Sequence, residues 1–309
     1  MTEAAIAEVQ ATDTHDAGDT GEERSLASDA WRAMRKNPLF WVSSAMIVVF
    51  VLMAVWPSLF TSTDPTEAIL QESRARPGDG TFFGRDIQGY DIYARCIYGA
   101  RASILVGLFT TVGTVLLGGT IGVLSGYLGG WADALFSRIG DVFFAIPLLL
   151  GAIIFLVSLP DFFNDNYLLV VMKVVLALVI LGWPSMARLM RSSVIQVKPN
   201  DYVQAARALG ASPWRVVRSH VLPNALAPVI VVATINLGAY IATEATLSFL
   251  GIGLQPPAIS WGIDISAAIV GLRTTPHMLF FPSLFLSLAV LAFIMLGDVV
   301  RDALDPKNR

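Results

Sequence analysis

The sequence predicts an all-α integral membrane protein with six transmembrane helices and both termini cytoplasmic. Three observations carry the prediction. Of its 309 residues, 55% are apolar and only 15% charged, whereas a soluble domain carries about 25% charge. The charges cluster, and between them lie uncharged runs near the length of about 20 residues that a helix needs to cross the hydrocarbon core. The basic residues also divide unevenly between alternate connecting segments. With the N-terminus inside, fourteen Arg and Lys fall on the inner side against six on the outer, the asymmetry that orients multi-span proteins.

Residues 1–28 are acidic and free of aromatics. A stretch of that composition cannot bury enough apolar surface to offset its ordering entropy, so it reads as disordered. A basic amphipathic piece follows at 29–38, with Trp31 and Met34 turned to the membrane and Arg32, Arg35 and Lys36 among the headgroups. The spans are expected at 39–56, 102–130, 142–160, 167–187, 221–243 and 278–297. The uncharged run 245–263 holds Gly251, Gly253, Pro256 and Pro257, and reads as an irregular segment folded back at membrane depth and buried in protein. On this topology the largest external segment is about 57–101 and the largest internal one about 188–220.

The internal segment has a local grammar of its own. Asp201 is expected to cap a short helix carrying Gln204, Ala205, Ala206 and Leu209. Gly210 is placed to stop it. Ser212 caps a second helix with Pro213 at its first position, and Pro223 marks the end of the loop. The expected product is a helix–turn–helix outside the membrane, with Val203, Ala206 and Leu209 forming an apolar strip that another surface can approach.

Within the spans, Lys173 and Glu244 are the ionisable residues, and such residues mark either a pathway or a pairing. Lys173 lies near enough to the outer side to snorkel. Glu244 either lines the outer mouth of a path, where it would attract a peptide's amino group, or serves as a cap or pairs with Arg273. Asn236 is a further candidate for the path. Gly118, Gly122 and Gly126 recur every four residues, a pattern that lets two helices pack backbone to backbone, within this chain or against a partner.

The string Gln204-Ala-Ala, then Gly210, then Leu222-Pro223 resembles the EAA loop of binding-protein-dependent ABC permeases. IYGARAS at 97–103, GYLGGWAD at 126–133, TLSFLGIGLQPP at 246–257 and LGDVVRDALDP at 296–306 extend the resemblance to the C-type permeases of dipeptide, oligopeptide and nickel importers, over about 29–306. The resemblance implies a type I importer fold, with one N-terminal helix before a five-helix core. It divides the chain into the tail 1–28, an N-terminal unit 29–101, a permease domain 102–302 containing the coupling loop 188–223, and a tail 303–309. It implies a homologous second permease subunit, two ATPase subunits that carry ATP and Mg, and an extracytoplasmic binding protein. Here Gln204 stands where the family has Glu, and FGRDIQGYD at 83–91 departs from the family's usual external motif.

Other classes find less support. No phosphate-cradling GxxxxGK[ST] occurs, so no ATP is expected on this chain. Nothing in the composition points to nucleic acid, and no Cys/His cluster offers a metal site. An ion-coupled secondary transporter would place paired acidic residues in broken helices, and a membrane enzyme would need several convergent polar groups. The expected function is a non-enzymatic permease subunit for short peptides in the cell membrane, with nickel or another small solute as the alternative cargo.

Overall fold

The computed structural model describes residues 26–78, 80–159 and 166–304. Most of the acidic tail, the end of the C-terminal tail and Pro160 lie outside the described residues. Among the described residues, every named element is helical. Among the described residues, five helices are long and apolar enough to cross a membrane, and a bent pair raises the number to six.

Helix α1 spans Leu26–Lys36, beginning a few residues before the expected 29. It meets α2 at Asn37, whose side chain accepts from the Leu39 N–H at 2.9 Å, with Pro38 at the first position of the new helix. The corner is fixed by Trp31 standing edge-on to Phe40 at 5.6 Å and by the Trp41 indole N–H donating to the Arg35 carbonyl. The first span, α2, runs Pro38–Val55.

The second long helix, α3, is Ile92–Leu128, and starts ten residues before the expected 102. Asp91 caps it by accepting from Ala94 N–H at 2.8 Å. Arg95 and Arg101 can sit inside this helix because distant groups meet their charges. Arg95 pairs with Asp264 at 2.5 Å, and Arg101 donates to the Ala54 carbonyl at 2.7 Å. The 37 residues of α3 extend about 55 Å.

The span expected at 142–160 is broken instead of straight. Helix α4, Gly130–Phe144, and helix α5, Leu148–Ser158, meet at 87°. Pro147 stands at the break, where a regular helix would need its missing N–H. The 11 residues of α5 reach about 16 Å, too short to cross the core of about 30 Å alone.

Helix α6 covers Tyr167–Val197, capped by Asn166, and carries Pro184 inside. It packs lengthwise on α3 along the three glycines. A Cβ on Gly118 would lie 2.5 Å from the Trp183 carbonyl oxygen, one on Gly122 2.5 Å from that of Ala187, and one on Gly126 2.9 Å from that of Arg191. The stripe is therefore filled by a helix of this same chain.

After the loop, in which α7 is Asp201–Ala208 and α8 is Pro213–Val216, helix α9 spans Leu222–Phe249. The irregular segment is shorter than expected: 245–249 still belongs to α9, and helix α10, Trp261–Ala268, begins with Ser260 as cap. Trp261 is fully buried and donates its ring N–H to the Cys96 carbonyl at 2.9 Å, which pins α10 onto α3. Helix α11, His277–Leu304, closes the bundle.

Candidate functional site

The loop between α6 and α9 is built from strong local signals, with corrections in their placement. Asn200, with extended backbone, is the capping residue, and Asp201 is the first residue of α7 instead of its cap. Two adjacent residues can both cap, and the backbone of Asn200 decides between them. Gly210 has φ +80, and nothing lies within 4 Å of its missing Cβ. Glycine is needed there for the left-handed turn, not for space. Ser212 caps α8 by accepting from Arg215 N–H at 3.4 Å, with Pro213 at the first position.

Pro223 stands at the start of α9, the expected end of the loop, and the second helix is continuous with that span. It runs from α8 through a π-helical turn, Val217–Val221, directly into α9, making one helical body Pro213–Phe249. The widened turn stands just before Pro223, whose ring is incompatible with the regular hydrogen-bond register. Force applied to α8 is therefore applied to a long helix without a loop between.

The expected outward strip of Val203, Ala206 and Leu209 is also corrected. Val203 is fully buried in an apolar cluster with Met190, Val194, Val216 and Val221, and Ala206 packs against its edge. These residues hold α7 to the protein. The outer surface is made by Asp201, Gln204, Ala205, Gly210, Ser212 and Pro213, all exposed. Leu209, 89% exposed, and Trp214, 72% exposed, flank it on the two sides of the turn. Trp214 escaped the sequence reading, although a tryptophan just after a Ser-Pro cap in a polar loop has no span to belong to. Gln204 folds back, donating from Nε2 to the Lys198 carbonyl at 3.2 Å.

The candidate path residues lie on two helices, Lys173 on α6 and Asn236 and Glu244 on α9. Glu244 is fully buried within the chain. It accepts from Ser103 Oγ at 2.8 Å and from Ser248 Oγ at 2.7 Å. It neither opens onto an outer mouth nor pairs with Arg273. Lys173 is 8% exposed, enclosed in the bundle instead of reaching along its surface, and it is engaged there. Asn236 is half-buried in the middle of α9.

At the opposite end of α3, the 83–91 segment forms a turn joined to residues 69–75 by backbone hydrogen bonds, Ile69 N–H to the Gly89 carbonyl, Arg74 N–H to that of Asp86 and Arg85 N–H to that of Ala75. Arg85 pairs with Glu72 at 2.6 Å and donates to the Gly89 carbonyl at 2.9 Å. The Tyr90 ring lies under the Arg95 guanidinium at 4.9 Å. Burial pushes the Asp86 carboxyl above its usual range, against the pull of the Tyr90 and Gln88 N–H groups it accepts from. Arg85 and Tyr90, both in the segment that departs from the family's usual external motif, thus bond within it and also tie it to Glu72 and to Arg95 on α3.

Comparison with known proteins matches residues 118–309 to the model of the binding-protein-dependent transport system inner membrane component. Residues 25–77 match the N-terminal TM domain of oligopeptide transport permease C. The chain is 38% identical to the dipeptide transport system permease protein DppC of Alkalihalophilus pseudofirmus, covering 91% of this chain and 90% of that one. It is 37% identical to the oligopeptide transport system permease protein OppC of Bacillus subtilis, over 92% and 91%. The glutathione transport system permease protein GsiD of Pectobacterium atrosepticum shares 34% over 90% of each. Among solved structures, a chain of the MetNI methionine ABC transporter in an inward-facing conformation superposes with TM-score 0.53 at 22% identity, over 68% of this chain and 96% of that one. The architecture is that of a type I ABC importer permease.

Proposed function

The chain belongs to the family of binding-protein-dependent transport system inner membrane components, and on that premise we propose that it is one of two permease subunits of an ATP-driven importer of short peptides. The observation that carries the proposal is the 201–214 corner. It presents an exposed, small-residue surface flanked by Leu209 and Trp214, and it is continuous with a long helix. That is what a surface must be if a separate ATPase is to move the spans. Two ATPase subunits hold ATP and Mg, a homologous permease completes the path, and an extracytoplasmic binding protein delivers the peptide. Both termini face the cytoplasm, and the complex works in the cell membrane by alternating access. ATP binding draws the two coupling loops together and opens the path outward; hydrolysis returns it inward.

Peptides are favoured over nickel as cargo because the relatives that match end to end are named for dipeptides, oligopeptides and glutathione. An ion-coupled mechanism calls for paired acidic residues in broken helices, whereas Glu244 is met by the hydroxyls of Ser103 and Ser248.

The test is Ala205→Arg, alongside Leu209→Asp, in the reconstituted complex. Both variants are expected to insert normally and to lose peptide uptake, peptide-stimulated ATP hydrolysis and co-purifying ATPase subunits. Coupling at the unaltered level in both would refute the docking role. Uptake that needs a proton gradient and resists orthovanadate would refute the importer class.

A further inference from the structure

At the end of α3 nearest the coupling loop, Tyr127 gathers polar as well as apolar contacts to that loop. Lys198 donates from Nζ to the Tyr127 backbone carbonyl at 2.8 Å. That carbonyl belongs to the last turn of α3, where carbonyls lack helical partners and the helix end favours a cation. The Lys198 ammonium also lies 5.6 Å from the centre of the Tyr127 ring, and the Arg207 guanidinium carbon lies 5.3 Å from it, both within cation–π reach. Arg207 is in the last turn of α7. The ring packs in addition on the apolar cluster that contains Val203.

One residue beyond Tyr127, past Leu128, Gly129 and Gly130 take φ +69 and +56 and swing the chain into α4. In the first turn of α4, Asp133 accepts from Ser125 Oγ at 2.5 Å and is held by Arg191 Nε and Nη2 at 2.5 and 2.6 Å. The α3–α4 corner is therefore tied to α6 by an ion pair and to α7 by Tyr127. Beyond the corner lies the 87° break between α4 and α5. At the far end of α3 lies the Arg95–Asp264 pair on α10.

We propose that Tyr127 is the positioning residue that carries movement of the coupling loop to the α3–α4 corner. The proposal rests on the reading of the 201–214 corner as an ATPase dock. Apolar packing such as that of Val203 lets helices slide, whereas two cations on one ring and a charged hydrogen bond at the helix end fix direction. A displaced α7 draws Arg207, and with it the ring, so α3 tilts as a continuous rod and the α4–α5 elbow moves with it.

The experiment measures three quantities in the reconstituted complex: ATPase subunits retained on purification, ATP hydrolysed, and peptide taken up per ATP. Tyr127→Leu keeps bulk and the backbone carbonyl but removes the aromatic face; Tyr127→Phe keeps the face. Arg207→Gln removes one cation and leaves the ring. We expect Y127L and R207Q to retain the ATPases while peptide per ATP falls about fivefold, the order of a half-exposed cation–π contact, and Y127F to stay within about twofold of the unaltered complex. Unchanged coupling in Y127L with the ATPases bound would overturn the proposal and leave the docking role standing. If Y127L does not assemble, unchanged coupling in R207Q would overturn it. Loss of the ATPases from both variants would also count against it, since it assigns Tyr127 to transmission and not to docking.

Discussion

Glu244 can remain inside the protein because hydroxyls from two helices serve its carboxylate. Ser103 on α3 and Ser248 on α9 donate to its two oxygens, and Ser248 in turn accepts from Leu254 N–H in the irregular segment. The residue is a pin that joins α3, α9 and the folded-back chain. Glu244→Ala should leave both hydroxyls without their acceptor and cost about 1–3 kcal/mol, read as a lower melting temperature of the detergent-solubilised complex. Glu244→Gln, which keeps an acceptor oxygen, should cost less. Neither should change the peptide concentration for half-maximal uptake in whatever complex survives. A shifted half-maximal concentration in E244Q at unchanged stability would return Glu244 to the path. The sequence could flag this carboxylate but not its serines, because Ser103 is 141 residues away. Gly210 and Ser212 were legible because their chemistry is local. The inward turn of Val203 was not, since small apolar residues suit a core as well as a docking face.

The contact between α3 and α6 depends on the absence of side chains. Gly122 lies against the Ala187 backbone so closely that a Cβ would sit 2.5 Å from its carbonyl oxygen and 2.7 Å from the Met190 Cβ. Backbone cannot yield as a flexible side chain can. Gly122→Leu should therefore prevent the two helices from closing, and full-length protein should not accumulate in an assembled complex, as followed by co-purification with the partner permease. Normal assembly of G122L would mean that α3 and α6 part readily and that the stripe serves a different contact. At this scale the sequence gives the period of the glycines but not the helix that fills them. Helix ends are similarly divided. Asn166, Ser260 and Asp91 cap by local hydrogen bonds, whereas the charge of Arg95 inside α3 is met by Asp264, 169 residues away. The bend between α4 and α5 is invisible to hydropathy, which stays high across Pro147 and carries no direction.

For the whole molecule the decisive quantity is orientation, and the chain is well suited to measuring it. Its one cysteine, Cys96, is fully buried under α10, so a membrane-impermeant maleimide should find no background target in the folded protein. Ser212 is exposed at the turn of the coupling loop, and its capping role rests on one 3.4 Å hydrogen bond, so Ser212→Cys should cost no more than about 1 kcal/mol. If the excess of Arg and Lys sets the topology, S212C should be untouched in intact cells and labelled in inside-out vesicles. In the assembled complex, labelling should slow further, because the same turn would lie against an ATPase subunit. Labelling of intact cells would reverse the whole chain, and with it the side on which Leu209 and Trp214 await a partner. Inside-only labelling at one rate, with and without the ATPases, would keep the orientation but move the dock away from Ser212.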